Sequence, residues 1–326
     1  MRFRSEIELP ISSWQFDQQS HLLLLGSCFA DTMGSRLLKY KFSALVNPFG
    51  ILYHPISLLR PLRAALSGEN PFQDNLFESE GQWHSFHFHS QLCATSELAL
   101  QQKIQATLAT TKEALLKAKV LVLTFGTAIA FRHLASDTLV ANCHKVPAQE
   151  FSREMLPLEM LFSETSAFLQ QLWEQNPRLQ ILLTVSPIRH LRSGIIENSA
   201  SKAILRTLCQ QLITQFEQAS YFPAYELMLD DLRDYRFYRE DLAHPTEMAQ
   251  QYIWEKFRDS YVQTAAIKHI NLLKQIQKDL AHRPRNPNSK KQQQFLLALK
   301  EKIAHLQPVC DLSQEWAEVQ NRLSGL

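Results

Sequence analysis

The sequence lacks three features that would point directly to a class of protein: a long apolar run, an excess of one charge, and a secretion signal. No apolar run reaches the roughly 18 residues that a membrane helix needs. The 34 Lys and Arg are matched by 32 Asp and Glu, a formal net charge of +2, which is too balanced to indicate a nucleic-acid or anionic-membrane partner. The first residues, MRFRSE, turn acidic where a signal peptide would become apolar. We therefore expect a cytoplasmic protein that binds neither nucleic acid nor membrane.

Cysteine is scarce and scattered. The five cysteines are odd in number and no two have C-x-x-C spacing, which argues against a zinc ribbon and a disulfide scaffold. No G-x-G-x-x-G or P-loop follows the first apolar run, which disfavours nucleotide binding. His87 and His89 would share one face of a strand and offer two metal ligands, but no third ligand or clustered acid is evident. We expect no metal and no cofactor.

Composition and apolar patterning predict an α/β protein. Hydrophobic residues make up 45% of the 326 and charged residues 20%, an ordinary globular balance. Helical periodicities separate five short apolar segments that suit strands, at residues 22–25, 44–46, 120–125, 181–185 and 225–229. This alternation predicts a doubly wound, mostly parallel sheet with helices on both faces.

The last part of the chain has a different pattern. Residues 261–326 show helical periodicity and no apolar run typical of a strand. We therefore expect an α/β domain over residues 1–260 and a C-terminal helical appendage over 261–326, which packs on the core or makes an oligomer contact.

Ligands of open parallel sheets bind outside the carboxyl ends of the strands. Four polar clusters fall at such positions: Gly26-Ser27-Cys28, Asn47-Pro48-Phe49-Gly50, Gly126-Thr127-Ala128 and Asp241-Leu242-Ala243-His244. In the first cluster, Ser27 and Cys28 lie at a predicted helix start, where backbone N–H groups and the helix dipole favour an anion. This position is expected to lower the pKa of a thiol and to stabilise an oxyanion.

The last cluster supplies a base. Asp241 and His244, three residues apart at a predicted helix entry, can share one turn. The carboxylate then orients the imidazole, and the second ring nitrogen is left to accept a nucleophile's proton. A nucleophile turn after the first strand and D-x-x-H after the last together indicate a triad in which Cys28 or Ser27 attacks.

This pairing resembles the SGNH (GDSL-like) hydrolase superfamily, in which G-D-S follows the first strand, G-x-N a later strand, and D-x-x-H closes the domain. More closely, the chain is similar to the GSCFA family through segments that include the namesake run: Gly26–Ala30, Asn47–Gly50, Leu123–Ala128, Asn142–Pro147, Thr184–His190 and Leu232–Tyr238. The resemblance covers most of residues 1–260. It implies a flavodoxin-like three-layer fold and chemistry on an acyl ester.

Two departures from the SGNH pattern bear on the mechanism. Aligning Gly26 with the glycine of G-D-S puts Cys28 at the nucleophile position, whereas a slip by one residue puts Ser27 there, so both alternatives stay open. Ala128 stands where G-x-N has its oxyanion asparagine, a donor worth about 3 kcal/mol. Thr127, Asn142 or His144 are candidates to replace that donor, and Gly50 is a candidate to supply a backbone N–H.

Four further residues complete the candidate substrate-binding set: Asn47, Gly126, His89 and Arg189. His89 is expected to point into the cleft. Arg189 follows a strand end, where its guanidinium suits a carboxylate or phosphate.

The resemblance implies an acyl-ester hydrolase or acyltransferase, by analogy acting on a glycan or another small oxygen ester. The altered G-D-S and G-x-N motifs favour an alternative, a ligand-binding module that has lost catalysis, whereas the intact D-x-x-H favours an enzyme. A third alternative is an interaction protein that works through the helical tail.

Overall fold

The computed structural model describes residues 5–73, 76–285 and 289–324. Within those residues the strands are β1 (Leu22–Gly26), β2 (Ala44–Val46), β3 (Leu76–Ser79), β4 (Gln82–Ser85), β5 (Val120–Phe125), β6 (Ile129–His133), β7 (Thr138–Val140), β8 (Phe151–Met155), β9 (Gln180–Val185) and β10 (Ala219–Tyr221). The helices are α1 (Cys28–Lys39), α2 (Pro55–Ser67), α3 (Glu97–Lys117), α4 (Leu158–Gln175), α5 (Ile195–Gln215), α6 (Ala224–Glu226), α7 (Glu247–Tyr261), α8 (Thr264–Ala281), α9 (Lys290–Leu306) and α10 (Ser313–Ser324).

A parallel sheet of five strands, in the order β10-β9-β5-β1-β2, forms the centre of the fold. Every residue of β1 and β5 is buried, which explains why these strands appear in the sequence as continuous apolar runs rather than alternating patterns. Leu23 and Leu25 join the core formed with helices α2 to α5, and Leu24 between them is also fully buried. The predicted α/β fold with a central parallel sheet is confirmed.

One predicted strand is wrong. Residues 225–229 form no strand; α6 leads there into a π-helical segment, Leu227–Asp231, and the edge strand is β10 instead. A short apolar run cannot be distinguished from a buried helical segment by periodicity alone. Here Leu227 and Met228 are buried from a helix.

Two small antiparallel sheets, not predicted from the sequence, accompany the central sheet. One pairs β3 with β4, and the other has the order β7-β6-β8. Because β4 ends at Ser85, His87 and His89 lie beyond it and do not share a strand face as predicted. The ring of His87 packs on Phe72, with centroids 4.9 Å apart. Among the described residues no group of three or more His, Cys, Asp or Glu side chains is placed to hold a metal ion.

The chain divides into two compact units. The first holds residues 21–35 and 44–256 together with the segment that ends at Leu9, and it contains the five-stranded sheet. The second comprises residues 10–20, 36–43 and the chain from Phe257 onward, and its core includes buried side chains of α8 and α9. The C-terminal helices agree with the predicted appendage, while a domain boundary near residue 260 stays a prediction. No helix in the described part of the chain combines the length and apolarity that crossing a membrane requires.

Candidate active site

The turn after β1 places Cys28 at the first position of α1. Gly26 has φ +143°, and a Cβ there would lie 2.2 Å from the carbonyl oxygen of Thr124, so only glycine fits. The Gly26 N–H donates to Asn47 Oδ1 (2.8 Å), and the Asn47 side chain in turn donates to Asp31 Oδ1 (2.5 Å). Asn47 therefore ties the nucleophile turn to the first turn of α1.

Ser27 and Cys28 point in different directions. Ser27 is only 3% exposed; its hydroxyl donates to Ser186 Oγ (2.9 Å) and accepts the N–H of Phe29 (3.2 Å), as a helix-capping serine does. Cys28 is half-buried, and its Sγ lies 3.7 Å from Nε2 of His244. The geometry therefore brings the thiol, and not the Ser27 hydroxyl, to the histidine.

His244 is held by Asp241 from its other side. His244 Nδ1 lies 2.6 Å from Asp241 Oδ2, while Asp241 Oδ1 accepts the backbone N–H groups of Ala243 and His244, each at 2.9 Å. These hydrogen bonds lower the pKa of the Asp241 carboxyl to about 2. Because the ionised carboxylate accepts the Nδ1 proton, Nε2 is left to accept a proton from Cys28.

The prediction that the position of Cys28 lowers its thiol pKa is wrong. Burial raises the pKa of this thiol above its ordinary value, and it outweighs the lowering contributions of the Cys28 backbone N–H, Lys202 and Arg239. The backbone N–H at the helix start lowers the thiol pKa, as predicted, but by less than burial raises it. At neutral pH the side chain is therefore a thiol, so a partner must remove its proton before it can attack.

A polar face of α5, which was not predicted from the sequence, supports the loops around Cys28. Asn198 accepts the N–H of His190 (2.9 Å), and Ser201 Oγ accepts the N–H of Ala128 (2.7 Å). Lys202, 1% exposed, donates from Nζ to the Ser186 carbonyl (2.7 Å). These positions are spaced i, i+3 and i+4, so they lie on one helix face. The feature of the sequence that indicates this face is the set of three polar residues at helical spacing, in a segment that its apolar spacing already identifies as a helix.

Cys28 and His244 line a cleft of about 530 Å³. Most of its remaining wall is apolar or aromatic: Ile51, Tyr53, Ile129, Phe131, Ile188, Leu191 and Ala243. Three arginines also line it, Arg153, Arg189 and Arg192. Of the predicted substrate-binding residues, Arg189 and Thr127 belong to this wall. A thiol–imidazole–carboxylate chain beside a largely apolar cleft is suited to acyl transfer.

Several predicted oxyanion donors already make hydrogen bonds to other groups of the protein. The Gly50 N–H donates to the Asn47 carbonyl (2.8 Å), and the Gly126 N–H donates to the Tyr53 carbonyl (2.7 Å). The Thr127 hydroxyl bonds Ser201 (2.9 Å). These groups shape the turns below the cleft, and each already has a partner.

The other predicted residues lie apart from the thiol. Asn142 and His144 line a second cavity, of about 440 Å³, together with Cys143. The His144 ring donates from Nε2 to the Ser85 carbonyl (2.9 Å), and burial lowers its pKa to about 4, so it is neutral at pH 7. His89 packs over Gly50, where a Cβ would lie 2.3 Å from that of His89.

The fold and this geometry define an α/β protein with a cysteine–histidine–aspartate arrangement at the carboxyl edge of a parallel sheet. The chain belongs to the GSCFA family, whose model matches residues 21–257, and the model of the GSCFA domain protein C-terminal domain matches residues 273–325.

Two solved structures show weak similarity, and no curated protein matches the chain. One is provisionally named a platelet activating factor, from Streptococcus pneumonia; it is 12% identical, with a TM-score of 0.39, over 74% of this chain and 83% of that chain. The other is a carbohydrate esterase family 3 structure from Talaromyces cellulolyticus, 12% identical, with a TM-score of 0.26, over 49% of this chain and 60% of that chain.

Proposed function

We propose that this protein is an acyl-ester hydrolase or acyltransferase with Cys28 as nucleophile, His244 as general base and acid, and Asp241 as the residue that orients His244. One observation carries the proposal: Sγ, the imidazole and the carboxylate form a continuous chain, with distances of 3.7 and 2.6 Å, at the wall of the cleft. The D-x-x-H resemblance to SGNH hydrolases supports the same roles.

The reaction begins with a neutral thiol, because burial raises the pKa of Cys28. His244 Nε2 takes the thiol proton as Sγ attacks the acyl carbon, and the carbonyl electrons move onto oxygen. The imidazolium, stabilised by Asp241, then gives its proton to the departing alkoxide, which leaves a thioester on Cys28. Water, or an acceptor alcohol in a transferase, gives its proton to His244 and attacks the thioester carbon. The C–S bond then breaks, the acid or new ester is released, and His244 returns the proton to Sγ, so that the thiol is regenerated.

The oxyanion in this scheme needs donors other than those of the SGNH pattern. The amides of Gly50 and Gly126 already have partners, and Ala128 is fully buried. We assign the role to the backbone N–H of Cys28, which lies close enough to its own sulfur to lower the thiol pKa. The ammonium of Lys202, whose field also reaches the thiol, adds positive charge behind it.

Steady-state turnover of a panel of short-chain aryl esters and thioesters tests this proposal. His244→Ala is expected to abolish turnover, since it removes both proton transfers, and Asp241→Asn to leave a residual rate. Cys28→Ala is expected to be inactive, whereas Cys28→Ser keeps a slower ester hydrolysis because a hydroxyl is the weaker nucleophile here. Cys310→Ala, another half-buried cysteine, and His305→Ala, an exposed histidine, are the matched controls and should behave as wild type.

A covalent readout makes the nucleophile assignment independent of rate. Acid quenching during turnover, followed by intact and peptide mass spectrometry, should find the acyl group on Cys28. An acyl group on Ser27, or full activity in Cys28→Ala, would contradict the assignment.

The buried Ala128 at the G-x-N position favours the alternative, a binding module without catalysis. That alternative predicts no turnover across the panel and unchanged ligand binding in His244→Ala. If both results are found, the binding-module alternative replaces the catalytic proposal.

A further inference from the structure

The charged lining of the cleft is of one sign. Arg153, Arg189 and Arg192 line it, and none of the described residues in its wall is Asp or Glu. The second cavity shares Tyr53, Phe131 and Arg192 with the cleft, and its described lining also contains no acidic side chain. The two cavities therefore meet at a rim that carries Arg192.

The three arginines differ in how far their charge is already compensated. Arg153 donates to the Glu197 carboxylate at 2.7 Å, so an internal acid neutralises it. Arg189 stacks over the Tyr238 ring at 3.9 Å and approaches the Leu242 carbonyl at 3.5 Å, and it forms no ion pair with a residue that the structure describes. Arg192 is exposed, and its guanidinium makes no hydrogen bond or ion pair with any residue that the structure describes.

These two cations lie in the same cleft wall as the reacting groups. Arg189 and Arg192 follow β9, on either side of His190, in the same wall as Cys28 and His244. The backbone N–H of Arg189 donates to the carbonyl of Ala243 (3.1 Å), the residue just before the catalytic histidine candidate. A substrate whose acyl carbon is at Cys28 thus reaches this rim from the same cleft.

We propose that the substrate is an acyl ester or thioester that carries a carboxylate or phosphate, which Arg192, with Arg189 beside it, binds at the rim between the two cavities. This inference rests on the proposed function and names its substrate class. The apolar wall receives the uncharged part of the substrate, and the guanidinium offers paired N–H donors that match the oxygens of such an anion. The anion belongs either to the acyl chain or to the leaving group, and the choice of probe distinguishes the two.

Two matched ester pairs test the proposal. Mono-(4-nitrophenyl) glutarate and 4-nitrophenyl valerate differ in charge on the acyl side, while 4-acetoxybenzoate and its methyl ester differ in charge on the leaving group. Wild type should have a lower KM for the anionic member of one pair. Arg192→Gln should raise that KM roughly tenfold or more, because hydrogen bonds to a charged group are lost, and should change the KM of the neutral ester much less. Arg192→Lys should restore part of the preference.

Arg178→Gln is the matched control, because Arg178 is an exposed arginine that precedes β9 at the opposite end of the strand. It should keep the preference for the anionic ester, and 0.5 M salt should reduce that preference in wild type. Equal KM values within both pairs, or a preference that survives in Arg192→Gln, would overturn the inference while leaving the esterase proposal intact.

If no ester is turned over, the inference can be tested by measuring how the probes bind to the Cys28→Ala variant, which cannot form a thioester. Calorimetric titration with the same four probes should show tighter binding of one anionic member, lost on adding Arg192→Gln. Equal binding within both pairs would overturn the inference even if catalysis is absent, so the failure of this proposal and that of the esterase proposal remain distinguishable.

Discussion

Lys202 is a buried cation whose replacement should change the pH dependence of stability in a predictable way. Its side chain is 1% exposed, and Nζ donates one hydrogen bond, to the Ser186 carbonyl. Burial lowers the pKa of Lys202 from 10.5 to about 7, although the nearby Cys28 opposes this effect. The folded protein therefore holds this proton much less tightly than the unfolded chain does.

The size and sign of the effect follow from this difference in pKa. A fall from 10.5 to about 7 corresponds, at about 1.36 kcal/mol for each pKa unit, to on the order of 5 kcal/mol. Below pH 7 lysine is protonated in both states, and the buried charge costs the folded state this full amount. Between pH 7 and about 10.5 the unfolded chain binds more protons, so this contribution to the free energy of unfolding rises with pH.

Lys202→Met removes the titrating group and fills similar volume. At pH 7 and below the free energy of unfolding of the variant should exceed that of wild type by most of the charge-burial cost. The gain is reduced by about 1–3 kcal/mol because the Ser186 carbonyl is left unpaired, and this reduction does not depend on pH. The difference in stability between the variant and wild type should therefore fall as the pH rises from 7 toward 10.

Urea unfolding followed by tryptophan fluorescence, at pH 6.5, 8 and 9.5, measures this difference. Lys117→Met is the control, since the Lys117 side chain is 65% exposed, and its effect should not vary with pH. A Lys202→Met effect that is constant across the three pH values would contradict this prediction, whatever its sign.

Three other predictions concern the nucleophile turn. Alkylation of Cys28 by iodoacetamide, followed by mass spectrometry, should rise only above the pH at which an ordinary thiol ionises, because burial raises its pKa. Cys209 is fully buried and should stay unlabelled in the folded protein. Labelling of Cys28 at pH 6 would contradict this prediction. Gly26→Ala should cost roughly 3 kcal/mol or more in urea unfolding, since its Cβ would lie 2.2 Å from Thr124 O. Asn47→Ala should cost about 1–3 kcal/mol by the same measurement, because it leaves the buried Gly26 N–H without its acceptor.

The sequence predicts the centre of this fold well, for a physical reason. Strands such as β1 and β5 are covered on both faces, so nearly all of their side chains are apolar, and the run is visible without any knowledge of its partners. The edge strand β10 has only three residues, Ala219–Tyr221, two of them half-buried, and it carries too little pattern to compete with the apolar run at residues 225–229. Buried central strands are therefore predictable, while a short edge strand depends on its tertiary context.

The proximity of Cys28 and His244 follows from topology, because the carboxyl ends of parallel strands meet at one edge of the sheet. Which atoms face each other does not follow from topology. Ser27 and Cys28 are neighbours in the chain, yet the Ser27 hydroxyl turns inward to Ser186 and the Phe29 N–H, while the thiol faces the histidine. The same holds for Gly50 and Gly126, whose amide groups become unavailable through partners on other segments.

The polar face of α5 shows why the support of a site is harder to predict than the site itself. Asn198, Ser201 and Lys202 would be assigned to a solvated helix face by sequence alone, since such residues are mostly exposed. In the structure each holds a loop that follows β5 or β9, the strands whose ends form the cleft. The positions of His190, Ala128 and Ser186 thus depend on a helix that contributes no side chain to the cleft wall among the described residues. Substitutions at Asn198 and Ser201 should accordingly alter turnover without touching substrate, which distinguishes these positioning residues from catalytic ones.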